Sequence, residues 1–167
     1  MNLYLLRHGI AVDLGTPGIL NDADRPLTAK GEQKLEEVAR AMAALELSFD
    51  LILSSPYLRA RQTTAIIAKA FSARKRIEFT DALTPGASPR KLVELLNHRQ
   101  PLPESVLLSS HEPFLSTLIS LLVCGDTHAS VVMKKGGLCK LTIESLKPAR
   151  CASLDWLLTP KAMALMA

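Results

Sequence analysis

Aromatic side chains are scarce in this chain, with one Trp, two Tyr and four Phe making up 4% of 167 residues. The core must therefore be built from Leu, Ile, Val and Ala. The scattered lysines and arginines have no aromatic residues interleaved with them, which excludes a stacking platform for nucleic acid. Cysteine is equally sparse. Cys124, Cys139 and Cys151 cannot all pair within one chain and have neither C-x-x-C nor Cys/His spacing, so each reads as a small buried hydrophobe. Long apolar runs are missing too. Met1 to Leu6 lacks the basic start and long apolar stretch of a signal peptide, and the run from Phe114 to Val123 is too short to span a bilayer. A cytosolic chain with no membrane partner is the expectation. There is no Gly-x4-Gly-Lys-Ser/Thr, no Asp/Glu/His cluster at metal-ligand spacing and no internal repeat. Nucleoside-triphosphate chemistry, a metal centre and a cofactor all lack support.

What is present fits one domain over residues 1–167, with 48% apolar and 22% charged residues. The net charge of +4 and pI near 9.1 suit an anion-binding site on an ordinary surface. Strand-like runs alternate with helix-length periodic segments. Leu3–Leu6 reads as a buried strand, and Asp50–Ser54, Ile77–Thr80 and Ser105–Leu108 as three further strands. Apolar residues at 35, 38, 39, 42 and 45 predict a helix over Glu32–Leu45 with Thr28 as its cap. Pro56 suits the first turn of a second helix whose apolar face holds Ile66, Ile67, Ala70 and Phe71. A third helix covers Lys91–His98, and a fourth, apolar nearly all round, starts near Pro113. Val131–Met133, Leu138–Ile143 and Ala152–Leu158 read as shorter strands at one edge, with Lys134–Gly137 as a turn. Alternation of this kind predicts an α/β fold in three α/β/α layers around a mainly parallel sheet.

Ligands of such sheets bind beyond the C-terminal ends of the strands. Three strand ends here carry polar clusters: Arg7-His8-Gly9, Ser54 through Thr63, and Ser109-Ser110-His111-Glu112-Pro113. Arg7 and Arg59 can clamp phosphoryl oxygens bidentately, and Arg59 falls in a first helical turn, where free N–H groups favour an anion. Repulsion between two guanidiniums keeps His8 neutral, as a nucleophile must be. Gly9 would let the backbone approach the ligand, and His111 would steady oxygens as charge develops. A lone Arg-His-Gly arises by chance. The convergence of three clusters is the signal. His98 and His128 have no basic or carboxylate companions and read as bland.

Leu-Leu-Arg7-His8-Gly9-Ile-Ala, Arg25-Pro26-Leu27-Thr28-x-x-Gly31, Ser54-Ser55-Pro56-x-x-Arg59-Ala60-x-Gln62-Thr63 and Ser110-His111-Glu112-Pro113 together resemble the histidine phosphatase superfamily. The short chain and its Arg-Pro-Leu-Thr segment are similar to the SixA-type protein phosphohistidine phosphatases. The resemblance implies a phosphoglycerate-mutase-like fold, His8 as a phosphorylated nucleophile, and Arg7, Arg59 and His111 as the phosphate pocket. It covers residues 2 to about 115, and the last fifty residues match only in layout. Arg25, Ser110 and Gln62 are further candidate substrate contacts.

Many members of that superfamily place an acidic proton donor after the third strand or directly after the second histidine. The first place here, Leu83 to Pro89, holds no carboxylate. The second holds Glu112, which reads either as a general acid or as a cap on the following helix. An alkoxide leaving group needs such an acid, an effect of about 10²–10⁴-fold, whereas imidazole, with a pKa near 6.5, leaves without one. The expected substrate is therefore a histidine-phosphorylated protein, a phosphorelay domain or a phosphotransfer carrier, met by a monomer. The alternatives are a small-molecule phosphomonoesterase of the same fold and a non-catalytic phosphoprotein-binding module. A cysteine phosphatase fails, because the positions six after the three cysteines hold Ser130, Ser145 and Leu157 where Arg is needed. Asp22-Ala23-Asp24 has no hydrophobic strand before it, so it reads as a loop over the pocket entrance and not as an aspartate nucleophile.

Overall fold

The structure is a computed structural model that describes residues 1–166. Its six-stranded sheet comprises β1 (Asn2–Arg7), β2 (Leu51–Ser54), β3 (Ile77–Phe79), β4 (Ser105–Ser110), β5 (Leu138–Ile143) and β6 (Ala152–Leu158) in the order β3-β2-β4-β1-β5-β6. β1 to β4 run parallel, and β5 lies antiparallel to both β1 and β6. Among the described residues the α-helices are α1 (Ala29–Ala44), α2 (Leu58–Ala70), α3 (Pro89–Asn97), α4 (Phe114–Cys124) and the short α5 (Pro160–Met163).

The period-two alternation of β1 divides the core. Leu3 and Leu5 face a cluster with Leu92, Val93 and Leu96 of α3 and Phe114, Leu115, Leu118 and Leu122 of α4. Tyr4 and Leu6 face another with Val38, Ala39 and Met42 of α1, Ile67 of α2 and Met163 of α5. Helices thus cover both faces, and the mainly parallel α/β expectation holds. No helix among the described residues is long and apolar enough to cross a membrane.

Because β4 inserts between β1 and β2, the C-terminal ends of these three strands are neighbours. Arg7 pairs with Ser110, and Ser54 with Ser109. The three polar clusters consequently meet at one edge of the sheet. Thr28 caps α1 as expected, its hydroxyl accepting from Gly31 N–H at 3.0 Å.

Three local expectations need correction. Pro56 lies outside α2, which begins at Leu58 behind Tyr57. The predicted apolar face of α2 holds only in part, for Ile67 is buried and Phe71 packs on the core, but Ala70 is exposed and Arg59, Thr63 and Thr64 are buried instead. Each of those polar side chains has a partner, and that makes its burial tolerable. Finally, Val131–Met133 forms no strand. The Met133 carbonyl instead accepts a hydrogen bond from the Arg7 guanidinium, 2.6 Å away.

Candidate active site

His8 follows the last residue of β1 and is held by main-chain bonds on two sides. Its N–H donates to Ser110 O at 3.0 Å, and Gly136 N–H is shared between the carbonyls of Arg7 and His8. Gly136 can supply that N–H because it turns through φ +76° in the Lys134–Gly137 turn. Strand β1 is thereby extended to present a buried imidazole at a fixed point.

That imidazole has a defined proton. Nδ1 lies 2.7 Å from the Gly9 carbonyl oxygen, which can only accept, so Nδ1 carries the hydrogen. Nε2 is left with its lone pair, and Arg59 Nε donates to it at 3.2 Å. Burial above all, then the charges of Arg59, Arg7 and Lys135, push the His8 pKa down to about 3 against the opposing Gly9 bond. The ring is neutral at physiological pH.

Arg59 is the second residue of α2 and its guanidinium is buried. Thr63 ties this turn to the His8 loop, its hydroxyl donating to Arg59 O at 2.7 Å and accepting from Gly9 N–H at 3.1 Å. His111 follows β4, its ring 5.0 Å from that of His8 and 5.1 Å from Tyr57. Its Nε2 is 2.8 Å from Ser55 Oγ. Burial, then the neighbouring His8 and Arg59, lower its pKa to about 3, so this ring too is neutral at physiological pH. Arg7 Nε and His111 Nδ1 are buried with no protein partner. Burial also lowers the Arg7 pKa, opposed by Glu112.

The structure brings Arg7, His8, Arg59 and His111 together. The remaining candidates sit at the edge of the site with their side chains engaged elsewhere. Gly9 is closely packed, and a Cβ there would meet Leu35 Cδ1 at 2.6 Å and push that side chain aside. Gln62 accepts from Leu27 N–H at 2.7 Å and pins the Arg25–Thr28 segment. Ser110 Oγ donates to Leu83 O at 2.6 Å. Arg25 donates to Val12 O and to the Asp22 carboxylate. The Glu112 carboxylate accepts from Ser116 N–H at 3.2 Å in the first turn of α4, which is the capping alternative. Among the described residues no group of His, Cys, Asp or Glu is gathered to hold a metal ion.

Three participants were not assigned from sequence. Ser55 and Thr63 lay inside a quoted motif whose arginine drew attention first. Asp22, in the short 3₁₀ turn Asp22–Asp24, accepts from Arg59 through both its main-chain oxygen and its carboxylate, the latter at 2.8 Å. Its proximity to Arg25 in a loop preceding Pro-Leu-Thr was the available signal.

A mainly parallel sheet presenting one histidine after its first strand and another after its fourth defines a phosphoglycerate-mutase-like protein. Residues 3–84 match the model of the histidine phosphatase superfamily, branch 1. The phosphohistidine phosphatase SixA of Escherichia coli K12 is 30% identical over 132 residues, which is 76% of this chain and 77% of that protein. A Picosynechococcus protein without an assigned function is 37% identical over 139 residues, 83% of this chain and 82% of its own length. A solved structure of the protein histidine phosphatase SixA with tungstate superposes with a TM-score of 0.78 at 24% identity, covering 96% of this chain and 98% of that one. The chain belongs to the histidine phosphatase superfamily as a SixA-type member, and it is a phosphatase.

Proposed function

We propose that this phosphatase removes phosphate from a phosphorylated histidine of a protein partner, with His8 Nε2 as the transient phosphoryl carrier. The observation that carries the reading is the state of His8. Its imidazole is neutral, the Nδ1 proton is held by Gly9 O, and the Nε2 lone pair faces Arg59. In the first step Nε2 bonds to phosphorus as the bond from phosphorus to the substrate imidazole breaks. The leaving nitrogen keeps the electron pair and departs as neutral imidazole, protonated on its other nitrogen. In the second step water bonds to phosphorus, the P–Nε2 pair returns to His8, and the water proton passes to the released phosphate.

Arg7 and Arg59 neutralise the phosphoryl oxygens. Ser55 Oγ accepts from Tyr57 N–H, so its own proton can go to His111 Nε2. That leaves a proton on His111 Nδ1, the ring nitrogen without a protein partner, to donate to a developing oxyanion. The choice of substrate class is supported by the lack of a dedicated acid. Leu83 to Pro89 contains no carboxylate, and Glu112 is engaged by Ser116 N–H. Similarity to SixA supports the same choice, with a phosphorelay domain or phosphotransfer carrier as the protein partner.

His8→Ala is expected to abolish turnover while leaving the fold intact, and the parent enzyme trapped in mid-reaction should carry an acid-labile phosphate on His8 by mass spectrometry. Near-parental hydrolysis by the variant would sink the nucleophile assignment. The parent should favour a phosphohistidine protein over p-nitrophenyl phosphate and sugar phosphates by about 10²-fold or more in kcat/KM. A preference for the monoesters would overturn the substrate class.

A further inference from the structure

A guanidinium offers two edges for paired hydrogen bonds, one across its terminal nitrogens Nη1 and Nη2 and one along its side through Nε and Nη2. In Arg59 these edges have different partners. The terminal edge is taken by Asp22, with Nη1 donating to its main-chain oxygen and Nη2 to its carboxylate at 2.8 Å. The side edge faces His8, with Nε donating to Nε2 at 3.2 Å. The second Asp22 carboxylate oxygen accepts from Arg25 Nη1 at 2.7 Å, and Arg25 Nε is anchored on Val12 O at 2.6 Å. A chain of contacts thus runs from Arg25 through Asp22 and Arg59 to the imidazole.

We infer that Asp22 is a positioning residue that holds the terminal edge of Arg59 so that the side edge is aimed at the phosphoryl group on His8 Nε2, with Arg25 acting only through Asp22. The inference rests on the reading of His8 as phosphoryl carrier and Arg59 as its clamp. Phosphorus bonded to Nε2 lies along the lone pair toward which Arg59 Nε–H points. Its oxygens can then take Nε–H and the free hydrogen of Nη2 without displacing Asp22. A guanidinium gripped only by its hydrocarbon stem could rotate, and a misplacement of about 1 Å can cost about 10²-fold. The Asp22 carboxyl is held below the usual carboxylate range. Burial, which acts to raise it, is outweighed by the hydrogen bonds from Arg25 and Arg59. It is therefore ionised, and unsuited to act as an acid, at neutral pH.

The test is steady-state turnover of a phosphohistidine protein together with inhibition by inorganic phosphate, for Asp22→Ala, Asp22→Asn, Arg25→Ala, Arg59→Ala and the Asp22→Ala/Arg25→Ala pair. Asp22→Ala should lower kcat by about 10²-fold, with the larger part of the loss in kcat and not in KM, at an unchanged melting temperature. Asp22→Asn keeps one oxygen for Arg59 Nη2 and should recover part of that loss. Arg25→Ala should cost several-fold less in the Asp22→Ala background than in the parent. Full activity of Asp22→Ala, a loss confined to KM, or an equal cost of Arg25→Ala in both backgrounds would overturn the inference. If Arg59→Ala were itself active, the fault would lie in the clamp assignment and not in Asp22.

Discussion

A histidine in water is mostly protonated at pH 5, yet His8 is buried, ringed by cations and neutral down to about pH 3. If His8 is the nucleophile as proposed, it should be available far into the acid range. We expect the single-turnover rate of His8 phosphorylation, followed by rapid quench, not to fall between pH 8 and pH 5. An imidazole titrating near 6.5 would lose roughly thirtyfold over that interval, and such a loss would contradict the environment described. Legibility at this scale was uneven. Arg7, His8, Arg59 and His111 could be found because residue type, strand position and chemistry agreed. Gln62, Ser110 and Arg25 were found as polar neighbours of the site, but their bonds depend on which carbonyl or amide happens to face them. No sequence pattern encodes that. Asp22 went unassigned because a carboxylate acquires its meaning only when the loop delivers it to Arg59.

At the scale of elements, the segment Arg25-Pro26-Leu27-Thr28-x-x-Gly31 is a docking device for the start of α1. Thr28 N–H donates to Ile10 O at 2.9 Å, and a Cβ on Gly31 would stand 2.1 Å from that same oxygen. The helix can approach the loop after His8 only because position 31 has no side chain. Gly31→Ala should destabilise the protein by about 1–3 kcal/mol in urea denaturation, because the clash is with backbone and cannot be relieved by a rotamer change. Gly86→Ala, where a Cβ meets nothing within 4 Å, should fall within about 0.5 kcal/mol of the parent. Equal effects at both positions would refute the steric account. Most strands and the four longer helices were readable from periodicity, but the buried face of α2 was not. The inner face of α2 carries Arg59, Thr63 and Thr64, which break the apolar pattern because hydrogen bonds to the site compensate their burial. Met133 was read as strand for the opposite reason, since an apolar run carries no mark that its carbonyl serves Arg7.

Over the whole molecule the two buried imidazoles act together on stability. In the unfolded chain His8 and His111 take up protons near pH 6.5, and in the folded chain only near pH 3. Between these values the unfolded state binds more protons, so stability must fall as the pH is lowered. The lowered pKa of Asp22 works in the same direction below the ordinary carboxylate range. Denaturant midpoints should drop between pH 7 and pH 5, and replacing both histidines by Asn should flatten that dependence. An unchanged slope in the double variant would place the titration elsewhere. The alternation of elements predicted the layers, but not the order of the strands. Insertion of β4 between β1 and β2 is a long-range choice, and it is what brings His111 beside His8.

Part of the grip on Arg7 and His8 comes from the main chain of Met133 and Gly136, and Arg7 is 126 positions before Met133. A chain growing from its N-terminus makes His8 before its holder, which follows more than a hundred residues later. The geometry of the site is thus a late product of synthesis, and a ribosome-bound chain that ends before Gly137 carries the whole Arg-His-Gly signature without the turn that fixes it. The proposed site stays unfinished until β1, the strand that ends at Arg7, has been joined by antiparallel β5, so competence for phosphoryl transfer would report a completed sheet.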